Sequence, residues 1–200
     1  LLARDRDRTV GYMKPKGTRL RSRVGKTIDR DPLLARELLA LDAETHRLEP
    51  IVYSPTFVGS AVRGEVDPVE LAGTVREEFE TLAADADHML IEGAGELTTG
   101  GAIDLTDPAV ADLLDAEVVL VSEYADPTDV DDVLAAADDV GDRLTGVLFN
   151  RVADAPYDDL EGEVVPFLEG RGVPVLGVIP RERRLAGVTV AELADELGAD

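Results

Sequence analysis

Short apolar runs alternate with stretches of helical periodicity from end to end of this chain, which is the pattern of a parallel sheet with crossover helices. Strands are expected at Thr9 to Pro15, His88 to Glu92, Glu117 to Val121, Gly146 to Phe149 and Val175 to Ile179. Ile51-Val52-Tyr53 reads as a short edge strand or an extended segment. Asp31-Pro32 opens a helix through Leu41, with Leu34, Leu38 and Leu41 on one face, and proline at a first helical position loses no helical hydrogen bond. Asp67-Pro68 repeats that start and leads a helix to about Ala84, with Leu71, Val75, Phe79 and Leu82 at helical spacing. Further helices are expected from Asp107-Pro108 to near Leu114, Thr128 to Val140, near Tyr157 to Gly170, and Val190 to Leu197. Lys16 to Arg30 reads as a polar loop too basic and irregular for a core, and Leu1 to Arg8 as the last turns of a helix already under way. The expected class is therefore α/β: one domain over residues 1–200, a doubly wound, mostly parallel sheet with helices on both faces.

Composition narrows the function. The 200 residues are 44% hydrophobic but only 4% aromatic, so the core must be built of Leu, Val, Ile and Ala. The formal charge of -22 is spread along the chain, and such an acid-coated surface suits solubility in a halophilic cytoplasm. It disfavours nucleic acid as a partner, because displacing counterions from phosphates requires a basic face. With no cysteine there is no disulfide, thiolate zinc site or cysteine nucleophile. No apolar run approaches the length of a membrane span, so no membrane partner is expected either.

The candidate chemistry sits at strand ends. The strand ending in Glu92 runs straight into Gly93-Ala94-Gly95, and the strand ending in Met13 delivers Lys14 and Pro15. An acid and a lysine at the C-terminal ends of parallel strands lie where open α/β sheets hold ligands. A Glu in that place needs a partner, and Mg²⁺ is the natural one, while Gly93 and Gly95 allow a sharp turn that presents amides to an anion. The plain alternatives are a solvated glutamate before an ordinary turn and a solvated surface lysine. Lysine is nevertheless rare in this chain, which uses it only at positions 14, 16 and 26. Asp31 reads as a helix N-cap with Asp29 solvated, or one of the two supplies a second carboxylate to the metal. Asn150-Arg151 follows a strand, either as a turn or as an amide able to read a base edge. Thr98 to Gly101 extend the glycine turn into a loop that cradles a substrate or is merely flexible. His46 and His88 have no metal-ligand spacing and read as structural. Gly25-Lys26-Thr27 fails as a phosphate-binding loop because the required glycine is Leu20, and no G-x-x-x-x-G-K-[ST] occurs in the 200 residues.

Taken together, G-Y-M-K-P, I-E-G-A-G, G-V-L-F-N-R-V and V-L-G-V-I-P, in this order, resemble the dethiobiotin-synthetase-like P-loop group. The chain most resembles the N-terminal domain of phosphate-acetyltransferase-family proteins that carry a DRTGG domain after it, and the likeness covers nearly the whole chain. It implies ATP binding at the C-terminal edge of a parallel sheet, with Mg²⁺ held partly by Glu92 and by Asp31, beside Asp29. Lys14 matches the lysine that binds substrate and stabilises phosphoryl transfer, Asn150 the asparagine at the adenine, and Val178-Ile179-Pro180 the strand end beside the nucleotide. The family's first strand and Walker A loop are expected before Leu1 and a DRTGG domain after Leu197. Without that strand, which lies mid-sheet in the family, the isolated chain is expected to bind ATP weakly and to associate with itself. Glu96 stands where dethiobiotin synthetase has another glycine, which argues against a diamine substrate. The expected function is MgATP binding with phosphoryl transfer to a small carboxylate or a phosphorylated substrate. The alternative is a nucleotide-sensing regulatory module without chemistry.

Overall fold

The computed structural model describes residues 8–182 apart from 19, 24 and 25. The expected helices at the two ends, Leu1 to Arg8 and Val190 to Leu197, lie wholly or almost wholly outside the described residues, as does Gly25 of Gly25-Lys26-Thr27. The chain resolves into two compact units, Leu1–Ala116 and Glu117–Asp200.

In the first unit, β1 (Val10–Met13) pairs in parallel with β6 (His88–Ile91), and Gly11 stands opposite Met89. A β-carbon at Gly11 would fall 2.2 Å from Met89 Sδ, so the Met89 side chain lies in the space that the glycine leaves. Two residues on, β2 (Lys16–Gly17) pairs in parallel with β5 (Ile51–Val52). The segment expected to be a loop departs from that reading: β3 (Leu20–Arg23) and β4 (Lys26–Asp29) form an antiparallel hairpin. Helix α1 (Arg30–Leu39) follows, capped by Asp29, whose carboxylate accepts the Asp31 amide at 3.0 Å. Asp29 therefore takes the capping role expected of Asp31. Short α2 (Thr45–Leu48) and α3 (Pro55–Val62) precede α4 (Pro68–Ala83), which starts on an Asp67 cap and buries Val75. Met13, Ile51, Val75, Ile103, Leu105 and Val110 form the core under β1, together with α5 (Asp107–Leu114).

In the second unit, three parallel strands run in the order β7 (Val118–Ser122), β8 (Leu144–Val152), β9 (Val175–Pro180). Helix α6 (Asp129–Val140) crosses from β7 to β8, burying Val133 and Ala137 and turning its aspartates outward. The crossover from β8 to β9 is α7 (Asp154–Asp159), a π-helical turn over Leu160–Val164, and α8 (Val165–Gly170). Pro166 explains the irregularity: it has no amide to continue an α-helical ladder, and the wider turn absorbs the break. Phe149, Val152, Leu160 and Leu168 are fully buried between these helices and β8. Two expectations are corrected here. β8 continues past Phe149 to Val152, so Asn150 lies inside the strand, and β7 is not buried throughout, since Val119 and Val121 are exposed, the latter at 63%. Hydrophobicity alone does not distinguish a strand covered on both faces from one left partly open.

Candidate functional site

The parallel register of β1 and β6 makes the site. Its last pair is Met13 with Ile91, and the Glu92 amide donates to Met13 O at 2.8 Å, so Lys14 and Glu92 emerge side by side at the C-terminal ends of neighbouring strands. Lys14 Nζ lies 3.2 Å from Glu92 Oε1 and 3.2 Å from Asp29 Oδ2, and it also contacts the Asp31 carboxylate. The other oxygen of Glu92 accepts the Tyr12 hydroxyl at 2.6 Å. Alternation along a strand places Tyr12 and Lys14 on one face, and that spacing was the available signal for Tyr12.

Burial and charge compete over these groups. For Lys14, burial is the largest single influence and pushes the ammonium down, but the hydrogen bond to Asp31 and the charges of Glu92 and Asp29 together outweigh it, so its pKa rises above the ordinary value. Burial, reinforced by the bond to Glu92, pushes the Tyr12 phenol well above its usual range. Behind them stands Glu49, only 5% exposed, whose Oε2 accepts the Asp29 amide at 3.2 Å while Oε1 is buried without a hydrogen-bond partner. Burial lifts its pKa from 4.5 to about 7, partly opposed by that amide. Glu49 packs so closely on Gly17 that a β-carbon there would lie 1.8 Å from Oε1. No pattern in the sequence marks Glu49, because its importance comes from the β2–β5 pairing that closes over it.

The glycine turn is held from behind. Gly95 has φ of 102°, a conformation that side chains resist, and a β-carbon at Gly93 would lie 2.4 Å from Asp107 Oδ2. Lys16, expected in a solvated loop, is fully buried, and its ammonium reaches Asp107 Oδ1 at 2.8 Å and the Leu105 carbonyl. Burial lowers its pKa, with Asp107 opposing.

Asn150 and Pro180 belong to the second unit. Asn150 is half-buried beside Arg151, which has φ of 60°, at a point where the β8–β9 register is irregular. A left-handed arginine costs roughly 1–2 kcal/mol, so this strand end is held in place by its surroundings. Pro180 is exposed at the end of β9, opposite Val152.

Among the described residues no group of three or more His, Asp or Glu side chains is arranged to hold a metal ion. The carboxylates of Asp29, Asp31 and Glu92 gather instead round a cation of the chain's own, the Lys14 ammonium. Hard carboxylate oxygens remain the donor chemistry suited to Mg²⁺, which is commonly bound by one or two carboxylates with phosphate oxygens and waters completing the shell. Glu92, with its side chain 40% exposed, has an open side for that purpose.

Each unit has parallel strands and helices, an α/β architecture consistent with the P-loop NTPase fold. The chain belongs to the AAA domain family AAA_26, which matches residues 1–189. It is also 33% identical, over 127 residues, to the cobyric acid synthase of Syntrophobacter fumaroxidans (strain DSM 10017 / MPOB). That match covers 58% of this chain and 24% of the synthase, so the chain spans well under two thirds of that relative's length. At this level the resemblance to a P-loop group holds, and ATP binding is the function it supports. No helix among the described residues is long and apolar enough to cross a membrane.

Proposed function

We propose that this chain is the MgATP-handling domain of an enzyme that transfers a phosphoryl group to a carboxylate or similar oxyanion. The observation that carries the reading is the convergence of Lys14 and Glu92 at the ends of β1 and β6, with Asp29 and Asp31 within reach of the same ammonium. Phosphoryl transfer asks little covalent chemistry of a protein. It asks for positioning and for neutralisation of charge on the transferred group. Lys14 supplies a permanent positive charge, held in the protonated state by its carboxylates, and the terminal phosphate takes over part of their role when it binds. Tyr12 fixes the orientation of Glu92.

Glu92 and Asp31 would hold Mg²⁺, which would offset the negative charge of the phosphates. Among the described residues, the carboxylates of Asp29, Asp31 and Glu92 converge on the Lys14 ammonium, and carboxylate oxygens of this kind are donors suited to Mg²⁺. Gly93 and Gly95 supply backbone amides to the anion. The assignments of Asn150 and Pro180 to the adenine side rest on the family resemblance. A cytoplasmic setting and a second copy of this chain as partner remain part of the proposal.

Similarity to a protein named as a synthase supports catalysis over nucleotide sensing alone, and over the phosphate-acetyltransferase-type regulatory role. The test is Glu92→Gln in the full-length protein, followed by Mg-dependent ATP turnover. Loss of turnover with the fold intact is expected. Undiminished turnover ends this mechanism, and tight MgATP binding with no turnover in the unaltered protein supports the sensor instead.

A further inference from the structure

Resting on that reading, we propose that Asp107 and Lys16 are positioning residues for the site, clamping the Gly93-Ala94-Gly95 backbone as the wall that faces the terminal phosphate. Asp107 opens α5, but Thr106 caps that helix, its hydroxyl accepting the Ala109 amide at 3.3 Å. The Asp107 carboxylate is thereby free for other work. Its Oδ2 accepts the Ala94 amide at 2.9 Å and its Oδ1 accepts from Lys16 at 2.8 Å. On its other side Ala94 is held too, its carbonyl accepting the Thr18 hydroxyl at 3.1 Å.

The clamp is tied to the reacting groups by a short stretch of chain. Lys14 reaches Glu92, Lys16 reaches Ala94 through Asp107, and Thr18 reaches Ala94 directly while its amide donates to Asp29 Oδ2 at 2.9 Å. Residues 14 to 18 therefore set the turn and the ammonium in one frame. Close packing makes that frame stiff. Gly93 must lack a side chain for Asp107 to approach, and Gly100, with φ of 103°, must lack one for the Lys16 stem and the Leu105 carbonyl to pass. A buried ion pair is a poor source of stability compared with an apolar pair of equal volume, so its presence here is better explained by the geometry it fixes. Ala94 is given both its polar contacts, which leaves the flanking glycine amides in one orientation.

The experiment uses the full-length protein with Asp107→Asn, Asp107→Ala and Thr18→Val, and reads three quantities: exchange of the Ala94 amide, the Kd for MgATP and the Kd for AMP. AMP lacks the terminal phosphates and serves as the control for folding and adenine binding. A hydrogen bond within the protein to a charged group is worth about tenfold or more in an equilibrium constant, and a loss of about that size reaches the MgATP Kd only if the clamped amides face the phosphate. In Asp107→Ala we expect faster Ala94 exchange and MgATP binding weakened about tenfold, with AMP binding changed by less than about twofold. Asp107→Asn falls between, because its amide oxygen serves Ala94 or Lys16 but not both. If Asp107→Ala does not fold, Asp107→Asn and Thr18→Val give the same reading. Equal losses for MgATP and AMP, or faster Ala94 exchange with unchanged MgATP affinity, would overturn the positioning role. An unaltered protein that binds MgATP no better than AMP refutes the underlying nucleotide reading as well, and the unaltered protein alone reports that.

Discussion

Replacing Glu49 by glutamine tests the electrostatics of the site with a single atom exchange. Glu49 is buried, one oxygen has no hydrogen-bond partner, and its pKa stands at about 7 in place of 4.5. The folded chain therefore keeps a proton that the unfolded chain releases near pH 4.5. Because the folded state binds more protons across this window, stability falls as pH rises from about 4.5 to about 7 and the loss is complete above it. At about 1.4 kcal/mol per pH unit, the loss from this group is about 3 kcal/mol. Glutamine is neutral throughout and keeps an oxygen for the Asp29 amide. Urea unfolding of the full-length protein and of Glu49→Gln, at intervals from pH 4.5 to 8.5, gives the difference in stability at each pH. The variant should gain on the unaltered protein by about 3 kcal/mol between the ends of that window. A constant offset between the two curves would show that Glu49 ionises at its ordinary pH and would refute this account of its burial.

Lys14→Met removes the ammonium shared by Asp29, Asp31 and Glu92 and should lower stability at neutral pH, seen as a lower urea midpoint. Part of that loss should be recovered at low pH, where the carboxylates take up protons. Gly95→Ala forces a side chain onto a φ of 102° and should cost about 1–2 kcal/mol, with slower ATP turnover as the kinetic readout. Charge placed on the exposed β7 residues, as in Val119→Lys with Val121→Lys, should shift the chain of residues 1–200 toward monomer in sedimentation if those apolar side chains drive association.

Much of the architecture was legible because periodicity reports burial. The parallel strands at Val10, His88, Val118, Leu144 and Val175 all coincide with apolar runs, and Asp67-Pro68 marks the start of α4 as expected. What was not legible depends on contacts remote in sequence. Lys16 looks like a surface lysine in a basic loop until Asp107, ninety-one positions away, closes on it. Asp29 caps α1 in place of Asp31 because the chain enters the helix directly from β4, two residues earlier than a cap at Asp31 requires, and Asp31 turns to Lys14 instead. Glu49 is an unremarkable acid before a proline until β5 pairs with β2. Lys14 and Glu92 could be found from the sequence for a simple reason: each is the first polar residue after an apolar strand, and parallel pairing brings such residues together.

The central claim is that the Lys14 ammonium meets the terminal phosphate of ATP beside Glu92. A crystal structure of the full-length protein with Mg²⁺ and a non-hydrolysable ATP analogue measures this directly. The account predicts the γ-phosphate within hydrogen-bond distance of Lys14 Nζ, with the metal between that phosphate and the carboxylates of Glu92 and Asp31. A triphosphate bound elsewhere, with Lys14 still enclosed by Asp29, Asp31 and Glu92, would contradict it.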